Sequence, residues 1–324
     1  MNKLVVFVIV AASLLMLTGC GRFGPTDKTK GELVTQVDIH KGVKGLTMEF
    51  VKGQPASTIW EGTGFPITLQ LKNEGAYNIQ RGMLAITGNL YFTTDPNLQF
   101  SLEGKSEFNP EGEFSFEKFD ATTLLVDGDK TDSFFVMACY PYKTYASATI
   151  CINPRIIEEE KRTEECSIGT VSLSGGQGAP VSVTSVEEEM IPIGDGLFRL
   201  NIKINIANNG GGRVSAYDLN TYEKDCIGLA LKPEEFGLIN VEGISFSSYS
   251  LNSGEFPIKC QNAPGNKFKL DSTGKYKLEC YAKIDSEFMG SAAFTTPLTV
   301  ELAYGYSQLS ESKTITIKDY QANK

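Results

Sequence analysis

Residues 200–210 read Leu200-Asn201-Ile202-Lys203-Ile204-Asn205-Ile206-Ala207-Asn208-Asn209-Gly210. Apolar and polar side chains alternate over the first seven positions, so one face can be buried while the other stays wet, as in a half-buried antiparallel strand. The run ends in Asn-Asn-Gly, the chemistry of a turn. A second copy lies 135 residues upstream: Leu69-Gln70-Leu71-Lys72-Asn73-Glu74-Gly75 aligns with Ile204 to Gly210.

Outward from these two stretches the same period recurs. Ile67-Thr68-Leu69-Gln70-Leu71 and Thr314-Ile315-Thr316-Ile317 alternate, and Asp127-Gly128 and Asp195-Gly196 have hairpin-turn chemistry. Helical periodicity is confined to one weak candidate, the charged run Arg155 to Glu165, which suits two helical turns or a solvated linker. The fold class predicted is all-β.

The duplication extends further. Glu103-Gly104 matches Glu242-Gly243 at an offset of 139, and Gly112-Glu113-Phe114 matches Gly254-Glu255-Phe256 at 142. Tyr140-Pro141-Tyr142 matches Tyr304-Gly305-Tyr306 at 164. Offsets that only grow predict a repeated module with insertions in the second copy. The 22-residue jump between Phe256 and Tyr304 places an extra, disulfide-stapled segment around residues 257–283. The organisation expected is a signal peptide over 1–20, a tether over 21–31, one β-sandwich over 32–155, a linker over 156–180 and a second β-sandwich over 181–324. Two cores imply that each half folds alone. The Gly-rich stretch Ser174 to Pro180 lacks the Lys-Ser/Thr of a phosphate loop and reads as part of the linker.

A strand ending in Asn-Glu-Gly or Asn-Asn-Gly early in a β-module resembles the immunoglobulin-like modules of prokaryotic surface proteins, among them the cell-adhesion-related bacterial-type domains. The resemblance implies two tandem immunoglobulin-like antiparallel β-sandwiches, in which Asn and Gly shape the turn after an early core strand. It implies no ligand.

At the amino end, Met1-Asn2-Lys3 precedes an apolar segment from Leu4 to Leu17, shorter than the roughly 20 residues of a membrane-spanning helix. It closes in Leu17-Thr18-Gly19-Cys20, which resembles the lipobox of bacterial lipoproteins. That resemblance implies cleavage before Cys20, a lipid on its thiol, and an extracytoplasmic chain held at the cell membrane or surface. A formal charge of −9 opposes binding to phosphate backbones, so no nucleic-acid partner is expected.

With Cys20 lipidated, Cys139, Cys151, Cys166, Cys226, Cys260 and Cys280 remain, an even set that predicts three disulfides, one of them Cys260–Cys280. Their spacing is too wide for a zinc cluster and the chain has a single histidine, His40, so no metal or cofactor is expected. A Ser–His–acid arrangement would need His40, which sits in no motif. Runs such as Glu158-Glu159-Glu160 and Glu187-Glu188-Glu189 read as solvated edges, and Asp127 to Asp132 reads as a hairpin turn rather than a calcium loop. Tyr140, Tyr142 and Tyr145, with Tyr304 and Tyr306, form a repeated stripe that is either a binding surface for glycan or peptide or a core strand. The function expected is non-catalytic: binding, adhesion or envelope scaffolding, with a protein or glycan partner. The alternatives are a hydrolase of envelope polymers and a solute-binding lipoprotein.

Overall fold

The two alternating stretches are both strands, and both pair on each side. The computed structural model describes residues 38–320 apart from 96, 156–165, 286, 288–289 and 291. The signal peptide, Cys20, the tether and the charged run that follows Arg155 lie outside the described residues.

The first half contains β1 (Leu46–Phe50), β2 (Thr58–Trp60), β3 (Gly64–Asn73), β4 (Ile79–Thr87), β5 (Phe92–Thr94), β6 (Leu98–Leu102), β7 (Phe114–Thr123) and β8 (Lys130–Ile152). The second contains β9 (Thr170–Ser172), β10 (Val181–Gly194), β11 (Leu197–Asn208), β12 (Arg213–Ser215), the helix α1 (Leu219–Cys226), β13 (Leu238–Phe246), β14 (Tyr249–Ser250), β15 (Ile258–Cys260), β16 (Lys267–Lys269), β17 (Lys275–Asp285), β18 (Phe294–Leu309) and β19 (Lys313–Lys318). The protein is all-β with sandwich-like packing. Two small sheets, β1-β3-β7-β5 and β15-β17-β11-β10-β9, pack against a long sheet whose backbone order is β14-β13-β18-β8-β19-β2.

Strand pairing reveals the duplication more fully than the residues do. Leu46 faces Asn73 on β1–β3, and Val181 faces Asn208 on β10–β11, each partner 135 residues on. β7 lies beside β3 as β17 lies beside β11, and β5 edges β7 as β15 edges β17. β6 joins β4 as β16 joins β13. The elements within 257–283 therefore have counterparts in the first half. The surplus lies elsewhere: β4 begins six residues after Asn73, whereas β13 begins thirty after Asn208. The added stretch carries α1, opened by Asp218, whose carboxylate accepts the Thr221 N–H. Of the four sequence matches, the first and last are structurally equivalent. Gly243 lies inside β13 and Gly104 beyond β6, and Gly112 and Gly254 precede different strands, so two-residue and three-residue identities were too short to fix register.

The long strands join the halves. β8, at 23 residues, first runs beside β4 and then continues along the opening part of β18, from Lys143↔Ala303 to Ile152↔Phe294. β18 reciprocates, passing β13 and then lying, with β19, along the first part of β8 down to Lys130↔Ile317. Each long strand thus completes its own half's sheet and then the other half's. β2 adds in parallel to β19, so a strand from near the amino end pairs with one from the carboxyl end. From Asp38 the chain forms one compact unit, and one apolar cluster runs from Leu46 to Ile317. A smaller cluster of Ala85, Cys139, Tyr222 and Cys226 sits under α1.

Two disulfides form, Cys151–Cys166 and Cys260–Cys280, the latter between directly opposed residues of β15 and β17. The third bridge expected does not form: Cys139 and Cys226 are free, buried thiols. Closing a loop of 20 residues contributes about 3 kcal/mol through the unfolded state.

A fragment ending near residue 155 would leave the long edge of β8 without β18 and β19. Expressed alone, residues 38–155 should give no cooperative thermal transition, while the full chain does. A cooperative melt of the fragment would show that the reciprocal pairing is dispensable.

Candidate functional site

The tyrosine stripe is built into the core. Tyr140 and Tyr142 on β8 face Tyr306 and Tyr304 on β18 across the ladder, and all four are fully buried. A surface for glycan or peptide at these four residues is thereby corrected: period two places them on the face that meets the small sheets. Tyr145, from the same sequence stripe, is 40% exposed and packs near Tyr77.

Each buried hydroxyl serves backbone that no strand partner reaches. Leu46 N–H donates to Tyr140 Oη, and Val181 N–H to Tyr304 Oη, both at 3.3 Å. Tyr77 N–H donates to Tyr142 Oη at 3.3 Å and Gly212 N–H to Tyr306 Oη at 2.6 Å. Tyr142 Oη also lies 3.3 Å from Asn73 Oδ1, and Tyr306 Oη 3.5 Å from Asn208 Oδ1. The asparagine side chains span the same turn in both halves, Nδ2 of Asn73 donating to Tyr77 O and Nδ2 of Asn208 to Gly212 O. Glycine is required for the approach of the rings: a Cβ at Gly75 would stand 1.8 Å from Tyr142 Oη, and one at Gly210 2.5 Å from Tyr306 Oη. Burial raises all four phenols, Tyr306 to about 12.

The other residues singled out by sequence are dispersed. His40 is exposed, and its backbone N–H donates to Asp38. It lines a 490 Å³ recess with Tyr145, Ser147 and Glu301, yet its ring forms no hydrogen bond or ion pair among the described residues. Glu188 is buried and accepts the Cys151 N–H, while Glu187 pairs with Lys277. Asp129 holds Lys318 and Asp132 accepts the N–H groups of Leu90 and Tyr91, so these carboxylates bind the chain itself. No group of three His, Cys, Asp or Glu residues is placed to hold a metal among the described residues.

A groove of about 1080 Å³ runs along the free edge of β1. Its floor is Leu46 to Phe50, and its far side is Gly210 to Arg213 with Ser307 to Lys313. Val51 N–H bonds back to Thr68 O, so alternate residues of β1 turn their backbone groups toward β3 and the others turn theirs outward. The outward groups of Leu46 are used, its N–H by Tyr140 and its carbonyl by Gln308. Those of Met48 and Phe50 have no partner among the described residues, because β1 pairs with β3 alone. Lys313 stands 5.7 Å from the Phe50 ring, Lys44 is bridged to Glu74, and Arg213 to Asp225. Sequence reading missed this site because a free edge is defined by which strand is not beside it.

No protein-family model matches the chain, and no curated protein matches it.

The tyrosines generate a pH prediction. Their folded values are raised above the ordinary 10.0, so their contribution is complete below that pH and is lost as pH rises through the folded values. The urea midpoint should hold steady up to about pH 10 and fall above it. Tyr142→Phe should lose about 1–3 kcal/mol at neutral pH, because the Tyr77 N–H keeps its burial and loses its acceptor. A midpoint equal to wild type would remove the hydroxyl from the account.

Proposed function

We propose that the protein is a membrane-anchored, extracytoplasmic lipoprotein that acts without catalysis, as a binding or adhesion module or an envelope scaffold. The observation that carries the reading is the pair of disulfides, Cys151–Cys166 and Cys260–Cys280, in a chain whose apolar amino-terminal segment ends at Cys20. Disulfides persist where the surroundings are oxidising, which agrees with export. Lipid on Cys20 would then hold the sandwiches outside the membrane, since two or more acyl chains anchor stably. The partner is a protein or glycan at the cell surface.

The immunoglobulin-like reading belongs to the same proposal. It is supported by the order β1-β3-β7-β5 in one sheet facing β4 and β8 in the other, and by the parallel addition of β2 to β19. One departure stands beside it: β5 joins its sheet before β6 returns to β4.

Metabolic labelling with a fatty-acid analogue tests the anchor. The wild type should take the label and partition with membranes, while Cys20→Ala should be unlabelled and leave the membrane fraction. Equal labelling of the two would overturn the reading.

A further inference from the structure

We infer that the free edge of β1 is a strand-addition site, where an extended segment of a partner protein pairs antiparallel with Leu46–Phe50. The inference rests on the reading of this protein as a binding module and names the chemistry of its partner: main-chain amides presented in β conformation.

In the second half the equivalent edge is filled. β10 is the counterpart of β1, with Val181 set against Asn208 and its N–H on Tyr304, as Leu46 is set against Asn73 with its N–H on Tyr140. There the chain covers its own edge. The Gln177 side chain accepts the Val183 N–H at 2.9 Å and donates to the Val183 carbonyl at 3.1 Å. Leu173 N–H then bonds Thr184 O, and β9 pairs Ser172, Val171 and Thr170 with Ser185, Val186 and Glu187. The Glu188 N–H closes the series on Gly169 O. Five consecutive positions after Val183 are thus met by the segment 169–173.

Met48 is the counterpart of Val183, and among the described residues it has neither the amide nor the strand. The chain reaching β1 runs instead along the linker, Gly42 N–H bonding Gly175 O at 2.6 Å and Gly178 N–H bonding Gly42 O at 2.8 Å. Two N–H and two C=O groups, on Met48 and Phe50, remain on the groove side. Natural edge strands are blunted by Pro, by inward charges or by a bulge. β1 reads Leu46-Thr47-Met48-Glu49-Phe50, without Pro, and its register with β3 is unbroken. The cations around the groove are balanced by Glu74 and Asp225 and are joined by Glu49 and Glu311, so recognition is by main chain, and small or β-branched side chains like those of β9 suit it.

The probe is a fluorescein-labelled peptide with the sequence of residues 169–175, Gly-Thr-Val-Ser-Leu-Ser-Gly, titrated into the detergent-solubilised full chain and followed by anisotropy. Saturable binding is expected. Met48→Pro should weaken it tenfold or more while leaving the thermal transition in place, because the N–H it deletes is not used by the fold. Amide exchange on the wild type gives a second readout that needs no variant: Met48 and Phe50 should exchange more slowly when the probe is present. Absence of saturable binding and of slowed exchange overturns the inference, as does equal binding by Met48→Pro. A dimer of the full chain that Met48→Pro dissociates assigns the edge to a second copy and also overturns it. Neither readout involves the lipid, so an unlabelled Cys20 would sink the anchor and leave this result standing.

Discussion

Four phenol rings meet where β8 crosses β18, and each hydroxyl receives a backbone N–H at the start of a strand or the end of a turn. An unpaired amide buried there would cost about 1–3 kcal/mol, so the tyrosines let the small sheets close over the long one without leaving such groups unmet. The rings also pack against one another across the ladder, Tyr140 against Tyr306 at 5.8 Å between centroids and Tyr142 against Tyr304 at 6.5 Å. Asn73, Asn208, Gly75 and Gly210 are fixed by this arrangement: the asparagines bridge the turns, and the glycines leave space for the hydroxyls. The repeated turn motif and the repeated tyrosine motif are one device, split across the sequence.

From that crossing follows the joining of the halves. The antiparallel ladder puts Tyr142 opposite Tyr304 and Tyr140 opposite Tyr306, so each long strand must continue past the crossing into the other half's territory. Most of the sheet contacts that result are far apart in sequence, and their loop-closure entropy must be met before they reward folding. The same geometry explains the place of α1. It lies over β4, β8 and β18 on the face away from the tyrosines, and covers Cys139 with Tyr222 and Cys226. A duplicated sandwich without this insertion would expose that apolar patch.

Duplicated modules start with equivalent edges, and differences between them show where the chain has treated them unequally. The edge of β10 is closed by β9 and Gln177; among the described residues the edge of β1 is open along a groove. An edge satisfied by the chain's own linker needs no partner, whereas an open one supplies directional donors and acceptors to any extended chain that reaches it. A lipid anchor at the far end of a tether would hold such an edge at the envelope, where extended segments of other proteins are encountered.

What the sequence determined by itself was local. Alternation in Leu200–Ile206 and Ile67–Leu71 defined strands because period two is a property of a single strand and needs no neighbour. Repeats that were long enough, Leu69–Gly75 with Ile204–Gly210, identified the duplication, and a separation of 20 positions from Cys260 to Cys280 allowed a bridge that the β15–β17 register then formed. Whether the tyrosines lay inside or outside could not be read, because a stripe of residues two apart looks the same on either face of a sheet. That Cys139 and Cys226 stay free thiols was beyond the sequence for a similar reason: an even count constrains how many thiols can pair, and only the packing of α1 on β8 decides where they lie. The joining of the halves and the open edge of β1 were decided by tertiary structure alone. Both depend on which strand lies beside which, and hydrogen bonds between strands are made by backbone atoms that every residue shares.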